Sequence, residues 1–150
     1  MRMALDEARQ ADSPFGAVIV RDGQVLARGR NLRRTNDDPT AHGEMTAIRR
    51  CLANHGSAAL QGSTLYTSGE PCVMCMGAIL WCRIGRLVFA ASVEQLATTR
   101  EFSLNACALL HFAWPLQFNP DADAMNLSSQ LWRLLADFRV GGENGHPLRK

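Results

Sequence analysis

No apolar run in this chain approaches about twenty residues, the length a membrane-crossing helix needs, so no membrane span is expected. Bulk charge is equally scarce: the formal net charge is only +2, which argues against a protein held to nucleic acid by overall charge. No secretory leader is recognisable in the charged, helix-like stretch Met1 to Asp12, and the cysteines number five, an odd count. Together these point to a reducing, cytoplasmic compartment and to metal-bound or free thiols. There is no internal repeat and no interdomain linker. A chain of 150 residues that is 47% hydrophobic therefore fits one domain over 1–150, with a frayed tail over about 140–150.

Against this plain background stand His42-Gly43-Glu44 and Pro71-Cys72-Val73-Met74-Cys75. Finding both motifs in this order by chance at average residue frequencies has an expectation below about one in a thousand for this length. Cys72 and Cys75 would bind a metal as thiolates and His42 as a neutral imidazole, and there the count of ligands stops at three. Structural zinc sites close with four protein ligands, whereas catalytic ones use three and leave a position for water, whose pKa the metal brings towards neutrality. Glu44, two residues from His42, is badly placed for a fourth ligand and well suited to shuttle protons. A redox Cys-x-x-Cys would have no use for the upstream His-x-Glu. A structural zinc would have to recruit Cys51, Cys82 or Cys107, which read as buried free thiols, while His55, His111 and His146 have no metal-ligand spacing. The basic clusters Arg28, Arg30, Arg33, Arg34 and Arg49, Arg50 read as a solvated face before a phosphate-contacting one.

Local patterns place the motifs. Met1 to Ala11 is amphipathic at helical spacing. Phe15 to Val20 and Val25 to Gly29 are strands around Asp22-Gly23, a hairpin signal. Ala41 to Asn54 carries Met45, Ile48 and Leu52 at helical spacing with Thr40 as N-cap, which puts His42 and Glu44 in the first turn. Ser63 to Thr67 is a third strand. Cys72 and Cys75 open a helix running to about Trp81 or Cys82, with Pro71 at its start. Arg86 to Ala91, nearly all apolar, suits a strand covered on both faces. Leu104 to His111 fits strand or helix, and Leu127 to Phe138 is a helix with a leucine stripe. The alternation around a hairpin predicts an α/β fold, a three-layer αβα sandwich with a mixed sheet.

With Pro14-Phe15-Gly16-Ala17, Arg30-Asn31, Pro39-Thr40-Ala41-His42-Gly43-Glu44-Met45 and Thr67-Ser68-Gly69-Glu70-Pro71-Cys72-Val73-Met74-Cys75-Met76-Gly77-Ala78-Ile79, the chain resembles the cytidine deaminase-like zinc-dependent hydrolases. Within them it is similar to the bacterial branch of guanine deaminases and tRNA adenosine deaminases, over about Leu5 to Ala91. The resemblance implies a five-stranded sheet with both zinc-bearing helices on one face, and a homodimer. It also implies Zn2+ held by His42, Cys72 and Cys75, with Glu44 as proton shuttle.

For substrate, the resemblance puts Asn31 where an amide bonds the base or sugar, and Phe15 and Trp81 at pocket walls able to stack on a flat ring. The same residues also suit a turn and an apolar core. Trp81 follows the guanine deaminases, Arg83-Ile84-Gly85-Arg86 the tRNA enzymes, and Gly43 the cytosine deaminases. Downstream of Ala91 the likeness fades: of an adjacent acidic pair only Glu101 is present, and Ser92-Val93-Glu94-Gln95-Leu96 replaces a glycine-rich turn. The expected activity is hydrolytic deamination of a free aminated base or nucleoside, guanine or a related aminopurine first. Adenosine deamination in tRNA is the alternative, and a non-catalytic zinc-stabilised binding module is the reading from another class.

Overall fold

The computed structural model describes residues 1–97. The first helix, α1 (Arg2–Arg9), buries Ala4, Leu5 and Ala8. The hairpin β1 (Gly16–Arg21) and β2 (Gln24–Arg30) turns through Asp22 and Gly23, both left-handed at φ 51° and 76°. Such a pair matches strand twist, and Asp and Gly tolerate it, which is why this dipeptide marks the turn. Then come α2 (Gly43–His55), β3 (Thr64–Gly69), α3 (Val73–Trp81), β4 (Arg86–Ala91) and the short α4 (Val93–Ala97).

The sheet has the order β2-β1-β3-β4. β1 runs antiparallel to both β2 and β3, while β3 and β4, joined through α3, are parallel. A parallel pair needs such a crossover, and the helix supplies it. The mixed sheet expected from the sequence is thus present, with four strands among the described residues. The expected fifth strand, the Leu104–His111 segment, the Leu127–Phe138 helix and the tail from Val140 lie outside them.

Helices cover both faces. Gly16 on β1 lies directly under α1, where an added Cβ would fall 2.4 Å from the Ala4 carbonyl oxygen. On the opposite face Ala17, Ile19, Leu65 and Leu87 from the strands pack with Ala47, Ile48 and Cys51 of α2 and Ile79 of α3. Each fully buried leucine or isoleucine here contributes about 1.5 to 3 kcal/mol, so this layer anchors the two motif-bearing helices. Gly29 lets α2 approach still more closely, since a Cβ there would meet the Gly43 carbonyl oxygen at 2.2 Å.

Two expectations for α2 need correction. Its N-cap is His42, not Thr40, whose backbone N–H and hydroxyl both donate to Asp38 Oδ1 at 2.8 and 2.6 Å. Its buried side runs through Glu44, Ala47, Ile48 and Cys51, leaving Leu52 exposed. Turning Glu44 inwards rotates the whole helical row, so the apolar spacing of Met45, Ile48 and Leu52 indicated the helix but not its inner face.

Candidate metal centre and active site

The two helices that carry the motifs begin side by side at the site. His42 and Cys72 are their N-cap residues, both in extended backbone conformation, and neither caps its helix with its own side chain. That frees both side chains to leave the helix ends towards one point. Cys75 follows one turn into α3, where the three-residue spacing returns its sulfur to the same side. The loop leading to His42 is tied down by Leu32 N–H donating to the Ala41 carbonyl at 2.9 Å. Asp12 clamps it further, accepting from the backbone N–H groups of Arg34 and Thr35 at 2.8 Å each. On the other side, Glu70 accepts from Val93 N–H at 2.7 Å and steadies the approach to Pro71 and Cys72.

His42 Nδ1 lies 3.6 Å from each sulfur, and the two sulfurs are 3.7 Å apart. Tetrahedral zinc with ordinary bond lengths requires about 3.8 Å between two thiolates and about 3.6 Å between thiolate and imidazole nitrogen. The donor set therefore fits zinc in both chemistry and spacing. Among the described residues this is the one cluster of three such side chains gathered closely enough to hold a metal ion. The contact between the sulfurs splits the pair: Cys72 is pulled down to about 4, first by its hydrogen bond to Cys75 and also by His42. Cys75 is pushed up by the same contact and by burial. His42 is raised, chiefly by its hydrogen bond to Cys72. A cation between them replaces that proton sharing. The helix N-termini add to the preference for thiolate.

Glu44 is buried beside this cluster, and burial raises its carboxyl above the usual range against the pull of its own backbone N–H and of Thr67. The Thr67 hydroxyl donates to Glu44 Oε1 at 3.0 Å. Neither Thr67 nor Glu70 stands out in the sequence as anything but motif context. The signal for Thr67 was a hydroxyl at an inward strand position otherwise given to apolar residues.

Asn31, at the end of β2, is 2% exposed. Its Oδ1 accepts from Arg33 N–H at 3.3 Å, so the turn role is real. Among the described residues its amide nitrogen makes no hydrogen bond. Phe15 is half-buried, with its ring against Gly69 and Leu96 and its carbonyl accepting from Asn31 N–H at 2.9 Å. It therefore borders the segment that leads into Pro71 and Cys72. Trp81 is not brought to the cluster. It ends α3, about 13 Å along the axis from its N-cap, and is 90% exposed.

The thiols Cys51 and Cys82 are free and pushed up by burial, as expected, and Cys107 lies outside the described residues. The basic cluster is largely occupied locally. Arg30 pairs with Glu7 at 2.8 Å, Arg49 with Asp38 at 3.1 Å, Arg34 holds the Asp12 carbonyl, and Arg50 that of Arg28. No helix among the described residues is long and apolar enough to cross a membrane.

Comparison with known proteins agrees with this geometry. The guanine deaminase of Bacillus subtilis is 53% identical over 78 residues, which are 52% of this chain and 50% of that enzyme. A tRNA-specific adenosine deaminase of Streptococcus pyogenes is 42% identical over 99 residues, 63% of this chain and 62% of that one. The matches thus span less than two thirds of either relative. The solved guanine deaminase of Nitrosomonas europaea superposes with a TM-score of 0.75 at 25% identity, covering 90% of this chain and 83% of its own. The family pattern for the cytidine and deoxycytidylate deaminase zinc-binding region matches residues 1–91, which contain His42, Glu44, Cys72 and Cys75, and the chain belongs to that family.

Proposed function

We propose that this protein is a hydrolytic deaminase that releases ammonia from an aminated nucleobase or nucleoside, guanine or a related small aminopurine first. The observation that carries this reading is a buried carboxylate, Glu44, set beside three metal-binding side chains and, among the described residues, no fourth. A purely structural zinc module has no use for a carboxylate there, since burying it unpaired by metal costs several kcal/mol.

His42, Cys72 and Cys75 would hold the zinc. When bound, zinc supplies the Lewis acidity that makes water reactive near neutral pH. Glu44 takes one proton from water as it adds to the amino-bearing ring carbon and passes it to the ring nitrogen, then takes the proton of the new hydroxyl and passes it to the departing amine. Water and the amine are consumed, and carbonyl and ammonia are formed. Asn31 offers its amide N–H2 to an acceptor on the ring or sugar, and Phe15 borders the flat substrate. Trp81 is left out of this pocket by its position.

The second reading, adenosine deamination in tRNA, is favoured by the 42% identity to a tRNA-specific enzyme. The local pairing of the arginines weighs against a surface built to grip phosphates. The homodimer implied by the resemblance belongs to the same proposal, and native mass measurement tests it. Ammonia release from guanine, guanosine, cytosine, adenine, adenosine and an anticodon stem-loop RNA at equal salt tests the substrate. Guanine or another free aminopurine should lead. Preference for the RNA over every free base would replace the first reading with the second, and activity on cytosine alone would overturn both.

A further inference from the structure

Thr67 lies on the interior strand β3, paired to Ala17 on β1 and Phe89 on β4, with its side chain on the face that packs against α2. The neighbouring inward positions Ala17, Ile19, Leu65 and Leu87 are all apolar. A hydroxyl in that layer, fully buried, is costly unless bonded, and its partner is the Glu44 carboxylate. Threonine is also β-branched, so its χ1 is stiff and the hydroxyl direction is set by the strand. Serine would carry the same donor on a freer side chain. Valine would fill the same volume with no donor.

Resting on the deaminase reading above, we infer that Thr67 is a positioning residue for proton transfer, holding Glu44 Oε1 as an acceptor so that the carboxyl group keeps one orientation towards the reacting atoms. A carboxylate able to rotate would present either oxygen and spend part of its time misaligned. With Oε1 engaged by a donor fixed to an interior strand and the carboxylate also drawn by its own backbone N–H, the carboxyl group is held in one orientation. Precise placement of a proton-transfer group is where catalysis gains, and loss of one charge-assisted hydrogen bond is worth about tenfold in rate.

The test uses the zinc-loaded full chain as Thr67→Val and Thr67→Ser, reading zinc content, kcat, KM and the infrared carboxylate band that disappears in Glu44→Gln. Thr67→Val should keep its zinc and its KM within about twofold while kcat falls about tenfold and the Glu44 band shifts. Thr67→Ser should restore most of kcat and leave the band in place. An unmoved band with unchanged kcat in Thr67→Val would overturn the inference. So would a loss that follows zinc content and that serine does not rescue, because it would mark a packing role. If the wild-type protein releases ammonia from no substrate, the deaminase reading fails by itself, and the infrared band still decides whether Thr67 holds the carboxylate.

Discussion

His42 and Cys72, thirty residues apart, begin their helices with nearly the same backbone, φ −68° and ψ 162° at one, φ −68° and ψ 169° at the other. Each is the half-in residue of its helix, so its side chain is outside the helical cylinder and free to aim at a shared point, which brings His42 Nδ1 and Cys72 Sγ to 3.6 Å of each other. An N-cap would ordinarily satisfy a backbone N–H with its side chain, and both residues forgo that. The helix starts therefore serve the metal at a small expense in helix stability.

Metal content follows from this geometry. The purified protein should carry one zinc per chain, and Cys75→Ala should lose it, because two ligands on two helices cannot close around the ion. Elemental analysis of both proteins after dialysis is the measurement. Full retention in the variant would contradict the ligand set.

Glu44→Gln preserves size and removes proton transfer. It should retain zinc and lose about 10² to 10⁴-fold in kcat. A glutamine variant with wild-type turnover per bound zinc would make Glu44 a structural residue.

At Asn31 the turn and the substrate contact can be separated, since Oδ1 serves the turn and the amide nitrogen bonds to no described residue. Asn31→Asp keeps the turn oxygen and removes the N–H2 donor, so both Asn31→Asp and Asn31→Ala should lower kcat/KM about tenfold or more, a buried unpaired partner costing about 1 to 3 kcal/mol. Loss in the alanine variant alone would mean that the turn, not the substrate, needs this residue.

Gly29→Ala is expected to damage the site from a distance. The new Cβ would sit 2.2 Å from the Gly43 carbonyl oxygen and 2.3 Å from the Ala47 nitrogen, both backbone atoms that cannot swing aside. Overpacking of this kind costs about 1 to 3 kcal/mol or more, and the element displaced is the one that begins with His42 and Glu44. Thermal unfolding and zinc content should fall together, and a variant with an unchanged midpoint would show that α2 has room to move.

Asp12 should contribute to acid sensitivity. Burial raises its carboxyl, but donors from Thr35 and Arg34 outweigh it and leave the pKa below its ordinary 3.8. A group with a lower pKa in the folded state stabilises the fold when ionised. Its contribution is complete above the unfolded value and disappears as pH falls through the folded one. Urea midpoints of wild type and Asp12→Asn should therefore differ most near pH 7 and converge as pH falls from 3.8 through the lower folded value. A gap independent of pH would assign the effect to hydrogen-bond geometry alone.

Short-range features were readable from residues alone. Asp22-Gly23 announces its turn because few residues accept left-handed backbone, and His42-x-Glu44 with Cys72-x-x-Cys75 announces a metal because those donors at those spacings serve little else. The alternation of strands and helices likewise leads to a mixed sheet with helices on both faces. Tertiary structure decided what depends on partners far along the chain. The inner face of α2 was set by where Glu44 had to point, which moved Leu52 outwards. Trp81 read as a stacking wall through the family resemblance, but the length of α3 carries it away from the cysteines. Thr67 read as an ordinary strand residue until β3 brought its hydroxyl to a carboxylate twenty-three residues earlier. Local pattern determined which elements form and which side chains can bind a metal; side-chain direction and distance, which arise only when the sheet and both helix layers pack, decided which residues meet.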